Sequence, residues 1–166
     1  MLALGIDPGT AIVGYGLVRE NPDGSLQAVQ YGVFRTPSED PMPKRLAHIH
    51  SEIKRMAKTF KPDIAAVEEL FFAKNVTTAI TVAQGRGVIL MTLETLGIPI
   101  YEYKPNFVKQ SVTGYGGAEK PQMQEMVRML LGLEMIPKPD DAADGLAIAI
   151  VALQHRHYHD LQDNQE

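Results

Sequence analysis

The sequence has no cysteine, which excludes structural disulfides, thiolate zinc sites and a thiol nucleophile, and suits a reducing cytoplasm. It also lacks any long hydrophobic run. The longest apolar stretches, such as Leu146 to Leu153, fall far short of the roughly 18 to 20 residues that a membrane span needs. The start, MLALGID, carries no basic segment, so neither export nor membrane anchoring is expected and the location is read as cytoplasmic. A surplus of basic residues is missing as well. The formal net charge is -4, which on its face argues against a polyanionic partner.

Several features present in the chain weaken that objection. The 166 residues, 45% of them hydrophobic, are enough for one compact domain, expected over 1–158, with 159–166 as a disordered tail. Asp160, Asp163 and Glu166 fall in that tail. Four further carboxylates are candidates for one cation site, where two divalent ions would neutralise the formal charge. Basic residues are locally concentrated: Lys44, Arg45, Lys54, Arg55, Lys58 and Lys61 are opposed between them only by Glu52. On an amphipathic helix such a run is either a solvated face or a binding patch.

The pattern of elements predicts an α/β domain. Leu2 to Ile6, Ile12 to Arg19 and Leu26 to Arg35 read as three antiparallel strands, the last two joined through the turn residues Asn21-Pro22-Asp23-Gly24. Leu46, Ile49, Ile53, Met56 and Phe60 recur at helical spacing between Pro43 and Phe60. Asp63 to Glu68 reads as a buried strand reached by that helical crossover. A long helix over 75–96 follows, interrupted by Gly85-Arg86-Gly87, a sign of close packing. Next come a strand over Ile98 to Glu102, a short helix near Phe107 to Val112, a Gly114-Tyr115-Gly116-Gly117 loop and a helix carrying Met123, Met126, Val127 and Leu130. The last helix spans about Asp141 to Tyr158. Three strands, helix, strand, helix, strand and helices imply a mixed sheet with helices on its faces.

Asp7 ends the first strand and Glu68 the fourth, so if these strands are neighbours their carboxylates lie side by side at the sheet rim, where α/β sites form. Asp141 and Asp144, three apart in the first turn of a helix, project from one face. Four such carboxylates repel one another unless cations fill the space between them. All-oxygen ligation suits magnesium or manganese, with two ions about 3.5 to 4 Å apart in phosphodiester chemistry. Each residue also has a plainer explanation. Aspartates at a helix start are commonly caps, Asp7 precedes the turn formers Pro8-Gly9, and Glu68 could pair with Lys74. Asp140 reads as the cap, yet its spacing to Asp144 also fits one helix face, so periodicity does not select two aspartates from the three.

The motifs LGIDPGT (4–10), GYG (14–16), AVEELFFAKN (66–75), AQGRGV (83–88), VKQSVTGYGGAEKPQMQEMVR (108–128) and DAADGLAIA (141–149) together resemble the RuvC-type Holliday-junction resolvases, over nearly all of the first 155 residues. The resemblance implies an RNase H-like fold, a mixed five-stranded sheet with helices. It also implies a homodimer that makes paired metal-dependent nicks in four-way DNA junctions, leaving 5′-phosphate and 3′-hydroxyl ends. Carried over by motif, the metal-binding and catalytic carboxylates are Asp7, Glu68, Asp141 and Asp144. Glu68 is chosen over Glu69 and Asp141 over Asp140 on that basis. Some members of the family carry histidine at the third position, where this chain has aspartate. Lys109 and Lys120 would lie near the DNA backbone, and Phe71 would contact bases at the junction centre. Two Mg²⁺ per active site, with Mn²⁺ as the alternative, and cooperation with a branch-migration motor, RuvA and RuvB, are also implied. The helix bearing Gly85 and Gly87 is the expected dimer element, although packing inside one chain would explain the same residues.

Three rivals remain at this stage. Gly5 to Thr10 also resembles the first phosphate-binding turn of actin-like ATPases and sugar kinases, a fold that needs a second similar domain. A non-catalytic junction binder and a nuclease acting on RNA–DNA hybrids are the others. His155, His157 and His159 look like a metal tract, but at a helix end they are more simply partners of its dipole.

Overall fold

The computed structural model describes residues 1–70 and 76–163, except the side chains of 76–78 and 157–163. Its elements run β1 (Leu2–Asp7), β2 (Ile12–Glu20), β3 (Leu26–Arg35), α1 (Met42–Phe60), β4 (Ile64–Glu68), α2 (Val76–Thr95), β5 (Ile100–Tyr103), α3 (Pro105–Thr113), α4 (Lys120–Leu130) and α5 (Asp140–Asp163). They build one mixed sheet of order β3-β2-β1-β4-β5, antiparallel on the β1–β2–β3 side and parallel through β1–β4 and β4–β5. The parallel pairs require crossovers, which α1 and α2 provide.

Both faces of the central strands are apolar, and alternation divides their residues between two cores. On β1, Leu2, Leu4 and Ile6 join Ala65 and Val67 of β4 in a core under α1 and α2, with Ile49, Ile53, Ile89 and Leu93. Ala3 of β1 and Ala66 of β4 face the opposite side, where α3, α4 and α5 pack. Ala3 and Ala66, with Gly5 of β1 and Gly16 of β2, leave room for α5 to lie close against the sheet.

Glycines set how close that approach is. Gly5 and Gly16 are direct partners across β1 and β2. A Cβ on Gly5 would lie 2.2 Å from the Gly145 carbonyl oxygen, and one on Gly16 would lie 2.5 Å from the Leu146 nitrogen. Conversely, a Cβ on Gly145 would lie 2.5 Å from the Tyr15 carbonyl carbon. Backbone thus rests on backbone, a contact no side chain could relax.

Some element boundaries differ from expectation for a physical reason. The strand expected from Ile98 begins at Ile100. Gly97 turns the end of α2 at φ +66°, and the Ile98 amide donates back to the Leu93 carbonyl, so Ile98 closes the helix instead of opening the ladder. Asp140, expected as the cap, is the first residue of α5, which leaves only Asp140 and Asp141 in the first turn. The same helix continues to Asp163, past the expected helix end near Tyr158. His155 therefore lies well inside it and packs against Phe107, ring centroids 4.9 Å apart. That contact replaces the helix-end role expected for it.

Candidate active site

The parallel β1–β4 ladder pairs Ile6 with Val67, so the next residues, Asp7 and Glu68, emerge together at the carboxyl end of the sheet. The glycine trough brings the other two acids to the same edge. Gly14 is the β2 partner of Asp7, and a Cβ there would lie 2.0 Å from the Asp141 carbonyl oxygen. Asp141 is thereby seated above Asp7, with Asp144 one turn along α5. Carboxylate oxygens of Asp7, Asp141 and Asp144 all lie within 4.8 Å of one another. Glu68 stands beside this trio. Together with Lys109, Lys120, Val108, Met123 and Asp144 it lines a cleft of about 220 Å³.

Charge in the cluster is only partly compensated. Burial, followed by repulsion from Asp144 and Asp141, pushes the Asp7 carboxyl up to about 7, against the pull of Lys120. Burial, followed by Asp7 and Asp144, pushes Glu68 up to about 8, with Lys109 opposing. Burial also raises Asp144, with Lys120 opposing. Lys120 lies 3.4 Å from Asp144 and 3.6 Å from Asp140. Burial lowers its ammonium pKa, but Asp144, Asp140 and Asp141 together outweigh that and raise it. Oxygen-only donors, close enough to share an ion and holding protons against their ordinary preference, fit divalent cations.

The two lysines expected near a DNA backbone are thus brought to the acids: Lys109 lies on α3 and Lys120 is the first residue of α4. Phe71 lies outside the described residues. Gly85 supports packing within the chain, since a Cβ there would sit 3.1 Å from the Thr10 Cγ2 and 3.2 Å from the Gly9 oxygen. Nothing lies within 4 Å of a Cβ on Gly87. Reading the sequence missed Asp140 as a second partner of Lys120. It also missed the glycines of β1, β2 and α5 as the device that sets the carboxylate spacing. Their signal was present: Gly14 and Gly16 lie two apart on one face of a strand.

The family model described as crossover junction endodeoxyribonuclease RuvC matches residues 3–152. The chain belongs to the RuvC family. A relative of that name from Chloroflexus aggregans is 58% identical over 150 residues, 90% of this chain and 91% of its own length. The structure of Thermus thermophilus RuvC superimposes with a TM-score of 0.88 at 34% identity, covering 96% of this chain and 97% of its own. The T. thermophilus RuvC structure in complex with Holliday junction substrate gives 0.86 at 31% identity, covering 95% and 96%. The fold is therefore the RNase H-like resolvase fold.

Gly16→Ala is expected to lower the unfolding free energy by about 1 to 3 kcal/mol, because α5 must lift from the sheet. Moving α5 separates Asp141 and Asp144 from Asp7, so Mn²⁺ affinity should fall as well. Urea unfolding and Mn²⁺ titration calorimetry check the two effects separately.

Proposed function

We propose that this chain is a structure-selective DNA endonuclease that resolves four-way junctions by paired, metal-dependent phosphodiester hydrolysis, leaving 5′-phosphate and 3′-hydroxyl ends. The observation that carries the reading is the trio Asp7, Asp141 and Asp144, with ligand oxygens within 4.8 Å, flanked by Glu68 and two lysines in a family of junction endonucleases. Asp7, Glu68, Asp141 and Asp144 would hold two Mg²⁺, with Mn²⁺ as a substitute, and metal held there would supply activation of water and neutralisation of charge at the leaving 3′-oxygen.

The protein's own groups do the rest. The cluster fixes where the scissile phosphate must sit, and the cleft brings Lys109 and Lys120 to the same edge. Their ammonium groups balance the negative charge that builds on the phosphate. Lys120 is held between Asp144 and Asp140, at the edge where the phosphate arrives, and divalent ions on the acids would take over the charge it now balances. Phe71 stacks at the junction centre in this reading.

A two-fold junction calls for a two-fold enzyme, so the chain acts as a homodimer. Support comes from α2, where Ile80 and Met91 are large exposed apolar residues on the face that also carries Gly87. Met91→Glu is expected to yield monomers by light scattering and to abolish paired nicking while sparing the fold. Residues 1–158 act as one nuclease domain in a cytoplasmic protein. Among the described residues no helix is long and apolar enough to cross a membrane. Cooperation with RuvA and RuvB completes the proposal.

The test is cleavage of a synthetic four-way junction, end-labelled on each strand in turn, in Mg²⁺, Mn²⁺ or chelator. Symmetric metal-dependent nicks are expected. Faster cleavage of an RNA–DNA hybrid, or binding without cleavage in either metal, overturns the reading.

A further inference from the structure

Arg86 stands outside every role assigned so far. It lies on α2 beside Gly85, the residue whose backbone meets the Gly9–Thr10 turn just after Asp7. The side chain is largely covered, 17% exposed, and both ends of its guanidinium are engaged. Its Nε donates to the backbone carbonyl oxygen of Glu68 at 3.0 Å, and its Nη2 pairs with the Glu102 carboxylate on β5. The amide on the other side of that peptide, Glu69 N–H, donates to the Tyr103 carbonyl at 2.8 Å.

The peptide plane between Glu68 and Glu69 is therefore held at both edges, by β5 on one and by Arg86 on the other. The Cα–Cβ direction follows from the backbone, so fixing the peptide that leaves Glu68 fixes the direction in which its side chain leaves the strand end and narrows the rotamers open to its carboxylate. The hold matters at this position because the β4 ladder ends here and the chain departs toward α2. A guanidinium suits the task because its planar fork serves a carbonyl and a carboxylate at once, which an ammonium does less well.

We infer that Arg86 is a positioning residue: together with Glu102 it orients Glu68 toward the carboxylate cluster from α2, without touching DNA or metal. The inference rests on the resolvase reading for its consequence in nicking, but its first readout does not. Mn²⁺ affinity measured by calorimetry on the full-length protein should weaken about 10- to 100-fold in Arg86→Ala, the usual scale for losing a group that orients a metal ligand. Arg86→Lys should recover part of the loss. Glu102→Gln, whose amide oxygen still accepts one hydrogen bond, should lose less than Arg86→Ala. Glu102 is half-exposed, so that variant folds even if Arg86→Ala does not.

Nicking of a four-way junction should then require more metal for half-saturation in each variant and approach the parental rate when metal is raised. Junction affinity in chelator should stay unchanged. Unaltered Mn²⁺ affinity in well-folded Arg86→Lys and Glu102→Gln overturns the inference. So does a loss of junction affinity in chelator, which would make Arg86 a DNA contact. If the parent binds Mn²⁺ but does not nick junctions, the resolvase reading fails while the calorimetric comparison still decides the role of Arg86.

Discussion

Asp7→Asn is expected to cut the junction-nicking rate by roughly 10³-fold or more, because a lost metal position forfeits several kcal/mol of transition-state stabilisation and each 1.36 kcal/mol is tenfold. Junction affinity in chelator should hold, since Asp7 lies among acids and offers phosphate no attraction. The metal-free variant should also be more stable than the parent. In the parent the Asp7 carboxyl is pushed up to about 7, so the native state holds that proton more tightly than the unfolded chain does. The stability it contributes is complete below the ordinary carboxylate range and is lost as pH rises through about 7. Asparagine keeps the shape and does not titrate. Thermal melts in chelator should therefore show the variant gaining on the parent at about pH 8 and converging with it near pH 4. Equal nicking by variant and parent would remove Asp7 from the site. A variant less stable than the parent at the higher pH would mean that the cluster is not self-repelling.

The pairing of Asp7 with Glu68 was legible because it depends on local signals: two apolar runs that each end in an acid, joined by a helix long enough for a parallel crossover. The β1–β4 register follows from those. The arrival of Asp141 and Asp144 at the same edge was not legible from spacing, which left Asp140 as good a choice as Asp141. It depends on how α5 sits on the sheet, and that contact is made by backbone atoms around Gly5, Gly14, Gly16 and Gly145. A glycine in a strand reads as a weakness until the atom that fills its missing side chain is known. Arg86 was hidden for a similar reason. Its partners are a backbone carbonyl and Glu102, 18 and 16 residues away, and neither leaves a periodic trace. The helix end at Gly97–Ile98 shows the opposite error, an apolar residue counted into a strand when its amide was committed to the preceding helix.

Metal affinity should climb steeply with pH. Asp7 sits at about 7 and Glu68 at about 8, so near pH 6 an ion must displace protons from both, whereas above about pH 8.5 both are mostly ionised. If one ion needs both groups, apparent Mn²⁺ affinity should rise by roughly 10²-fold or more across that window and then level off, because each proton displaced makes the affinity steeper in pH. Near pH 7 the binding heat should depend on the ionisation enthalpy of the buffer, with between about one and two protons released per site. Glu68→Gln should remove the upper part of the climb and keep the lower, since the glutamine has no proton to give up. Nicking should repeat the pattern only when metal is limiting. At saturating metal the ions have already displaced those protons, and the rate should depend on pH far less. A flat affinity profile across the window would mean the acids are ionised before metal arrives. The lysines at the cleft would then compensate the cluster by themselves, and burial would not be what makes it wait for a cation.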